Sequence, residues 1–551
     1  MALIVAFGLA LSLAIFRGYQ SRSRINRLRK QGFPMPPWSW VFGHLLVLRR
    51  YILKYPPDTF FTIVMGGMAA DFAETDMFYL DLWPFAPPFL CISDPDVANQ
   101  ISAKHTFPKA DYFNTLFEPL MGGPSLLTTN GKEWKDWRSL FNPAFAHSYL
   151  LEQVHGIVDH VEVFCGKLQE RVQASDVAPI EDIATRMTMD TIIKVTLDEE
   201  MDYQNNPNAM GRSLREIIHW AFLGNPIYRY HPFRPLVLKY YGNVMNRYIR
   251  TALNKRFQEY RQGQDDKESK STKSVIALAI KAYMEGENQE KLQERTTIDE
   301  RFLEYATYQL RLFLFAGHDT TTGTLIYTYH ELSKHPEILK RMQEEHASVF
   351  GSAPTKAPTL MKEQPTLLNQ LPYTLAVLKE VMRFYPLSGS IRMGVPNVTL
   401  PDRHGTQYPT EDFHLVSIHP RLHFNPRLWP QSKEFIPERW LVGPEDPLYP
   451  RSGAWRPFEH GPRNCIGQNL SLIELRVALV MTVRTFKIEP AYKEWDTAHP
   501  PGVIIGLLED LGLKDGRREL DGEMVYPIEK GGSNARDGYP CRITLLEEKK
   551  R

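Results

Sequence analysis

The stretch Phe458-Glu459-His460-Gly461-Pro462-Arg463-Asn464-Cys465-Ile466-Gly467 decides how this chain is read. Two glycines bracket a proline, an arginine and a cysteine, so the backbone can turn sharply and approach another group closely, with no Cβ in the way at Gly461 and Gly467. Only four cysteines occur in 551 residues, at Cys91, Cys165, Cys465 and Cys541. They are widely spaced and contain no CxxC, which excludes a disulfide framework and a zinc site built from cysteine pairs. A lone cysteine is by default a small buried apolar residue, and that reading suffices for Cys91, Cys165 and Cys541. For Cys465 two readings stand: a structural cysteine in a Gly/Pro turn, or a thiolate ligand presented by a loop.

Upstream, Pro372 and Pro386 bracket a helical pattern ending in Glu380-Val381-Met382-Arg383. Residues three apart share a helix face, so Glu380 and Arg383 can pair; an isolated pair of this kind is usually a surface contact worth less than about 1 kcal/mol. Phe435-Ile436-Pro437-Glu438-Arg439-Trp440 supplies a further arginine. Further upstream, Asp299 is a plausible N-cap for a long helix ending before Pro336. Within it lies Ala316-Gly317-His318-Asp319-Thr320-Thr321. Glycine inside a helix costs about 1 kcal/mol relative to alanine, so Gly317 needs a reason. Asp319 and Thr320 form an acid–alcohol pair suited to relaying protons. Trp134 and Arg138 lie at i and i+4, and Arg392 follows Arg383 by nine residues.

In order and approximate spacing these segments resemble the cytochrome P450 family: its FxxGxRxCxG loop, AGxDTT helix, ExxR, PERF/PERW segment and WxxxR helix. Five fixed positions in the cysteine loop would match by chance in about one chain of this length in several thousand. The resemblance implies a mainly α fold with small β-sheets, the helix-rich haem-thiolate domain of that family. It implies haem b held through Cys465, with Phe458 packed near the sulfur and Gly467 beside it. Trp134, Arg138, Arg392 and Arg463 would bind the propionates, and Arg439 would join Glu380 and Arg383 in a buried structural cluster. A thiolate ligand pushes electron density that favours O–O cleavage; Asp319 and Thr320 would supply protons, and Gly317 would permit a close approach to the haem through a locally opened helix. Arg311, Phe313, Phe315 and Thr324 are candidate linings of the distal pocket.

The implied activity is monooxygenation, with O2 as oxidant and a separate NADPH–cytochrome P450 reductase as donor, cytochrome b5 being a second possible donor. No G-x-G-x-x-G and no Walker A sequence occurs, so electrons come from outside the chain. The segment His105 to Thr129, the helix near Phe315 and the Leu387 to Ile391 turn would form the pocket, with little fixed charge beyond Lys109, Asp111 and Glu118. That suits an apolar small-molecule substrate. The wording of the cysteine loop and the extended C-terminal tail resemble fungal members that tailor secondary metabolites of polyketide or terpenoid type. Alternatives are a fatty-acid or xenobiotic hydroxylase, a haem-thiolate isomerase or dehydratase, and a non-catalytic haem sensor.

Bulk properties agree with a globular body: 43% hydrophobic residues and a formal net charge of +1, which gives no support for a nucleic-acid partner. Met1 to Phe16 is an apolar or small-residue run of about 24 Å as a helix, a little short of the roughly 30 Å hydrocarbon core. Arg17 to Lys30 is basic. The expected organisation is a transmembrane signal anchor over 1–20, a basic and proline-rich linker over 21–45, and a catalytic domain over 46–551 on the cytosolic face of the endoplasmic reticulum membrane. A cleaved signal peptide is the competing reading of the first residues. His330 and His335, five apart, miss the i, i+4 spacing of a metalloprotease helix. Residues 262–273 read as an exposed loop, Val398 to Leu400 and His414 to Ile418 as short strands, and Val525 to Ile528 with Cys541 to Leu546 as a terminal hairpin. No chemistry is assigned to Glu509 to Tyr539.

Overall fold

The computed structural model describes residues 2–105, 107–221, 231–262, 274–286, 297–500, 516–530 and 532–546. The loop expected at 262–273 falls almost wholly outside them.

One helix organises the molecule. Glu300–Lys334 runs unbroken for 35 residues, about 50 Å at 1.5 Å per residue. Its start is fixed by Asp299, whose carboxylate accepts the Phe302 N–H at 3.1 Å, and it ends just ahead of Pro336, which opens the next helix, Pro336–Phe350. Leu310, Leu314, Leu325 and Tyr327 are buried on it, and helices Glu181–Leu197, Pro372–Phe384 and Gln468–Thr482 pack around it. Helix Gln468–Thr482 is itself buried along most of its length, so the cysteine loop leads directly into the core.

Small sheets close the ends. Met77–Leu80, Phe89–Ile92, His414–Ser417 and Ser390–Met393 form a four-stranded sheet in that order, with only the middle pair parallel. The strands expected near Val398 and His414 are present, at Thr399–Pro401 and His414–Ser417. The expected terminal hairpin is not formed between the segments proposed. Pro527–Glu529 pairs with Ser533–Ala535, whereas Pro540–Leu545 pairs with Phe486–Pro490 and Ala178–Pro179. The 3-10 turn Arg536–Gly538 redirects the chain between them.

Ala2–Lys30 is one continuous helix. Its basic half is docked on the body: Ile25 and Leu28 are buried among Met77, Tyr79 and Leu90, and Arg22 pairs with fully buried Asp81. Arg22 also donates to the carbonyls of Trp40 and Trp83 at 3.2 and 3.1 Å. Residues 21–30 are therefore helix packed on the body, not a free linker. The apolar half ends at Phe16, short of the roughly 20 residues a span requires, and among the described residues no helix is long and apolar enough to cross a membrane. The expected transmembrane helix finds no support in this helix.

Glu380, Arg383 and Arg439 form the expected cluster, and all three are fully buried. Arg383 donates to both Glu380 oxygens at 2.7 and 3.0 Å, and Arg439 Nε to Oε1 at 3.0 Å. Trp440 Nε1 and the Ile436 N–H complete the carboxylate's shell. Arg383 also donates to the carbonyls of His423, Ser432 and Glu434, so one helical arginine holds the chain segments that precede the cysteine loop. Removing one member of such a cluster strands the other buried charges. Glu380→Ala is expected to destabilise the protein by about 3–5 kcal/mol, measured as a loss of denaturation midpoint against the parent.

Candidate active site

A cavity of about 1420 Å³ lies between the central helix and the cysteine loop. Cys465, Ile466 and Gly467 line one side; Ala316, Gly317 and Thr320 line the other. Ala316 and Thr320 are the exposed residues of the stretch 305–333, and both face this space.

The cysteine loop is held by its own turns. Cys465 N–H donates to the Phe458 carbonyl at 2.8 Å and Asn464 N–H to Gly461 at 3.1 Å. Gly461 adopts φ +77°, and a Cβ there would lie 2.3 Å from the Ser102 carbonyl oxygen, so its glycine is required by this packing. Gly467 has a different setting: a Cβ would meet only Cys465 Sγ, at 3.9 Å. Phe458 lines the cavity edge-on to Trp455. Burial pushes the Cys465 thiol up, against the opposing pull of the Gly467 and Gln468 N–H groups and the Arg138 guanidinium. Cys165 and Cys541 are pushed up to about 12 by burial, and Cys91 also rises. Cys465 alone of the four lines the cavity with N–H donors and a cation on its sulfur.

Trp134 and Arg138, on helix Gly131–Phe141, both line the cavity, as does Arg463. Arg138 donates to the Asn464 carbonyl and side-chain oxygen, each at 3.0 Å, while its Nε is buried without a partner. Arg463 stacks 4.8 Å over the Trp134 ring and donates to Asn130 Oδ1 and the Thr129 carbonyl at 2.8 and 2.7 Å. Burial, then repulsion from Arg392 and Arg138, lowers Arg463 to about 9. Arg392 is buried behind the wall on strand Ser390–Met393 and does not line the cavity. Lys109 lines it, and its ammonium is pushed well down by burial and by Arg392 and Arg463. Among the described residues Arg138, Arg392 and Arg463 form no ion pair. Arg392 is buried and Arg138 and Arg463 are half-buried; cations gathered this way call for an anionic partner, and a haem with two propionates beside a thiol fits this donor set.

On the opposite wall the helix differs from expectation. A Cβ at Gly317 would lie 2.7 Å from Ile192 Cδ1, so the glycine answers to close packing on helix Glu181–Leu197. The helix is continuous through this stretch, and Thr320 Oγ1 donates to the Ala316 carbonyl at 2.8 Å. Phe313, Phe315 and Thr324 line the cavity as expected. Arg311 instead turns away, donating to the carbonyls of Leu120 and Pro119 and to Asn246. Asp111 and Glu118 are exposed and do not line the cavity.

Asp319 is half-buried at the cavity wall, and desolvation there raises it to about 6, opposed by Asn534 and Lys530. Both partners come from the C-terminal hairpin, which carried no sequence assignment. Gly532 approaches so closely that a Cβ would lie 2.3 Å from Asp319 Oδ2. Lys530 also bonds Glu181 at 2.9 Å. No local motif marks Glu181, Lys530, Gly532 or Asn534; only the glycine of a short turn hints at a close approach.

A thiol and an acid–alcohol pair face each other across a largely apolar cavity with half-buried cations in its wall: this is the arrangement of a haem-thiolate oxidoreductase. The family model described as cytochrome P450 matches residues 34–510. The chain is 34% identical to cytochrome P450 monooxygenase polC of Polytolypa hystricis (strain UAMH7299), covering 100% of this chain and 96% of that one. It is 32% identical to cytochrome P450 monooxygenase acrF of Aspergillus aculeatus (strain ATCC 16872 / CBS 172.66 / WB 5094), covering 86% and 94%. The crystal structure of the cytochrome P450DA heme domain superposes with a TM-score of 0.70 at 19% identity, covering 94% of this chain and 99% of that one, a likeness of fold. The chain belongs to the cytochrome P450 family and is a monooxygenase whose cofactor is haem, held in this family by a cysteine thiolate.

The raised Asp319 carboxyl predicts a pH dependence. Its folded-state value of about 6 lies above the ordinary 3.8, so the folded protein holds this proton more tightly than the unfolded chain. The associated stability is whole below the ordinary value and is lost as pH rises through about 6. Asp319→Asn removes this titration, so its stability relative to the parent should climb across that window, by at most about 3 kcal/mol. Paired denaturation curves below pH 4 and above pH 7 check this; a constant difference would refute it.

Proposed function

We propose that this monooxygenase inserts one oxygen atom from O2 into an apolar secondary metabolite of polyketide or terpenoid type, with Cys465 as the axial thiolate. The observation that carries the reading is a large cavity with Cys465 on one wall and Asp319 and Thr320 on the other. Its remaining walls include Phe61, Val64, Met65, Phe117 and Leu387, which favour hydrocarbon over charge. The fungal source of relatives such as polC and acrF supports the substrate class.

Bound in this cavity, the haem supplies oxygen activation and O–O cleavage. The chain does the rest. The Gly467 and Gln468 N–H groups and Arg138 stabilise the anionic form of the Cys465 sulfur. Trp134, Arg138 and Arg463 hold the propionates, with the charge of Arg392 behind them. The apolar walls exclude water. Asp319 holds a proton at its carboxyl and would pass it to Thr320 Oγ1, which releases its own hydroxyl proton toward the cavity as that O–H turns from the Ala316 carbonyl. Electrons come from a separate NADPH–cytochrome P450 reductase.

Haem-loaded protein reconstituted with that reductase and NADPH should oxygenate members of a panel of polyketides and terpenoids that also give spin-shift binding spectra. Turnover of fatty acids or xenobiotics alone would overturn the substrate class. The ferrous–CO spectrum should be that of thiolate ligation and should be lost in Cys465→Ala; an imidazole-type spectrum in the parent would remove Cys465 as ligand.

Membrane association at the endoplasmic reticulum is supported by the exposed Val5, Leu9, Leu13, Ile15 and Phe16 on the N-terminal helix, an apolar surface that can enter the lipid interface. Deleting residues 2–16 should move the protein from the floated membrane fraction to the supernatant; unchanged flotation would contradict this.

A further inference from the structure

A proton that leaves the Asp319 carboxyl at each turnover must be replaced from outside, and the described structure places one side chain beside Asp319 that also reaches solvent. Lys530 is 59% exposed, yet it bonds Glu181, which is 13% exposed and begins helix Glu181–Leu197. Asn534, two residues after Gly532, favours the ionised Asp319 carboxyl as a nearby hydrogen-bonding group, and its Nδ2 donates to the Lys530 carbonyl at 2.8 Å. The hairpin backbone at Gly532 leaves no room for a side chain against Asp319 Oδ2. The groups facing Asp319 are thus Lys530 and Asn534 from the hairpin, Glu181 from the neighbouring helix start and Tyr327 from its own helix; Asp182 acts on Glu181. His318 points elsewhere, to the Leu314 carbonyl.

We propose that the C-terminal hairpin is a positioning element for proton delivery, in which Asn534 orients the Asp319 carboxylate and Lys530, braced on Glu181, sets its charge state. This rests on Asp319 and Thr320 being the relay. The geometry supports it in three ways. A half-buried carboxylate with one amide donor beside it has a defined direction. A nearby cation favours its ionised form, so that it can accept the next proton. Glu181 offers a second carboxyl, pushed up by burial and by Asp319 itself, where a proton entering from the solvent side can rest before it reaches Asp319.

Two measurements on the haem-loaded full chain test this. The first is an infrared titration of the protonated-carboxyl band that Asp319→Asn removes, with a parent midpoint of about 6. Lys530→Met should raise the midpoint by about half a pH unit, Asn534→Ala should also raise it, and Lys530→Arg should leave it in place. The second is the share of NADPH electrons recovered as peroxide during reductase-driven turnover without added substrate. That share should rise about two-fold or more in Lys530→Met and Asn534→Ala, and Lys530→Arg should restore it. An unmoved midpoint in both hairpin variants overturns the proposal, as does a moved midpoint that leaves their peroxide share unchanged while Thr320→Ala raises it. If Asp319→Asn and Thr320→Ala themselves leave the peroxide share unchanged, the relay reading fails, and the proposal falls with it.

Discussion

Positive charge gathered at the cavity wall, half-buried at Arg138 and Arg463 and buried at Arg392, constrains this structure more than any other single feature. Burial, then Arg392 and Arg138, lowers the proton affinity of Arg463, and burial and Arg456 lower that of Arg392 against the pull of Glu459; among the described residues none of the three forms an ion pair. Such an arrangement is costly unless an anion completes it. The chain spends local structure on keeping it in place: an aromatic face under Arg463, the carbonyls of Thr129 and Leu126 around it, and the cysteine loop's own backbone against Arg138. The cation ring and the sulfur are joined through Asn464 and Arg463, so a group that satisfies the first is brought to the second.

A second charge cluster makes the first possible. Glu380, Arg383 and Arg439 contribute no atom to the cavity, yet Arg383 gathers carbonyls from His423 to Glu434. Downstream, Arg456 ties the same region to Ser102 and Glu459, and Glu459 pairs with His419. The loop that presents Cys465 is thus hung from a scaffold of satisfied charges. This explains why the glycine at 461 is set by Ser102 and not by the cofactor side: the loop's shape is fixed from behind.

The cysteine loop, the ExxR pair with Arg439 and the WxxxR helix were legible in the sequence because each is a local pattern whose spacing carries the geometry. Asp299 as a cap was legible for the same reason. Gly317 had a second neighbour the sequence did not name: a helical glycine announces a close approach but not to what, and besides lining the cavity it packs on Ile192, 125 residues away along the chain. The terminal hairpin failed similarly, since strand pairing across a redirecting turn is decided by tertiary contacts that periodicity does not encode. The N-terminal helix was misread in its second half. A run of arginines beside an apolar segment reads as an interfacial flank, and nothing local reveals that Arg22 meets a buried aspartate sixty residues on.

The hairpin that the sequence left without a role also changes how the acid–alcohol pair is understood. A carboxyl on a buried helix has its proton affinity set by whatever covers it, and Asp319 is covered by a segment more than two hundred residues later in the chain. Burial alone would hold it protonated over a wide range; Asn534 and Lys530 pull it back toward the pH at which an acid can both give and regain a proton. The helix supplies the residue and the cavity its reaction partner, while the C-terminal segment sets the pH at which the pair can work. Variation in that segment among otherwise similar chains would therefore tune proton supply without altering any residue of the recognisable motifs.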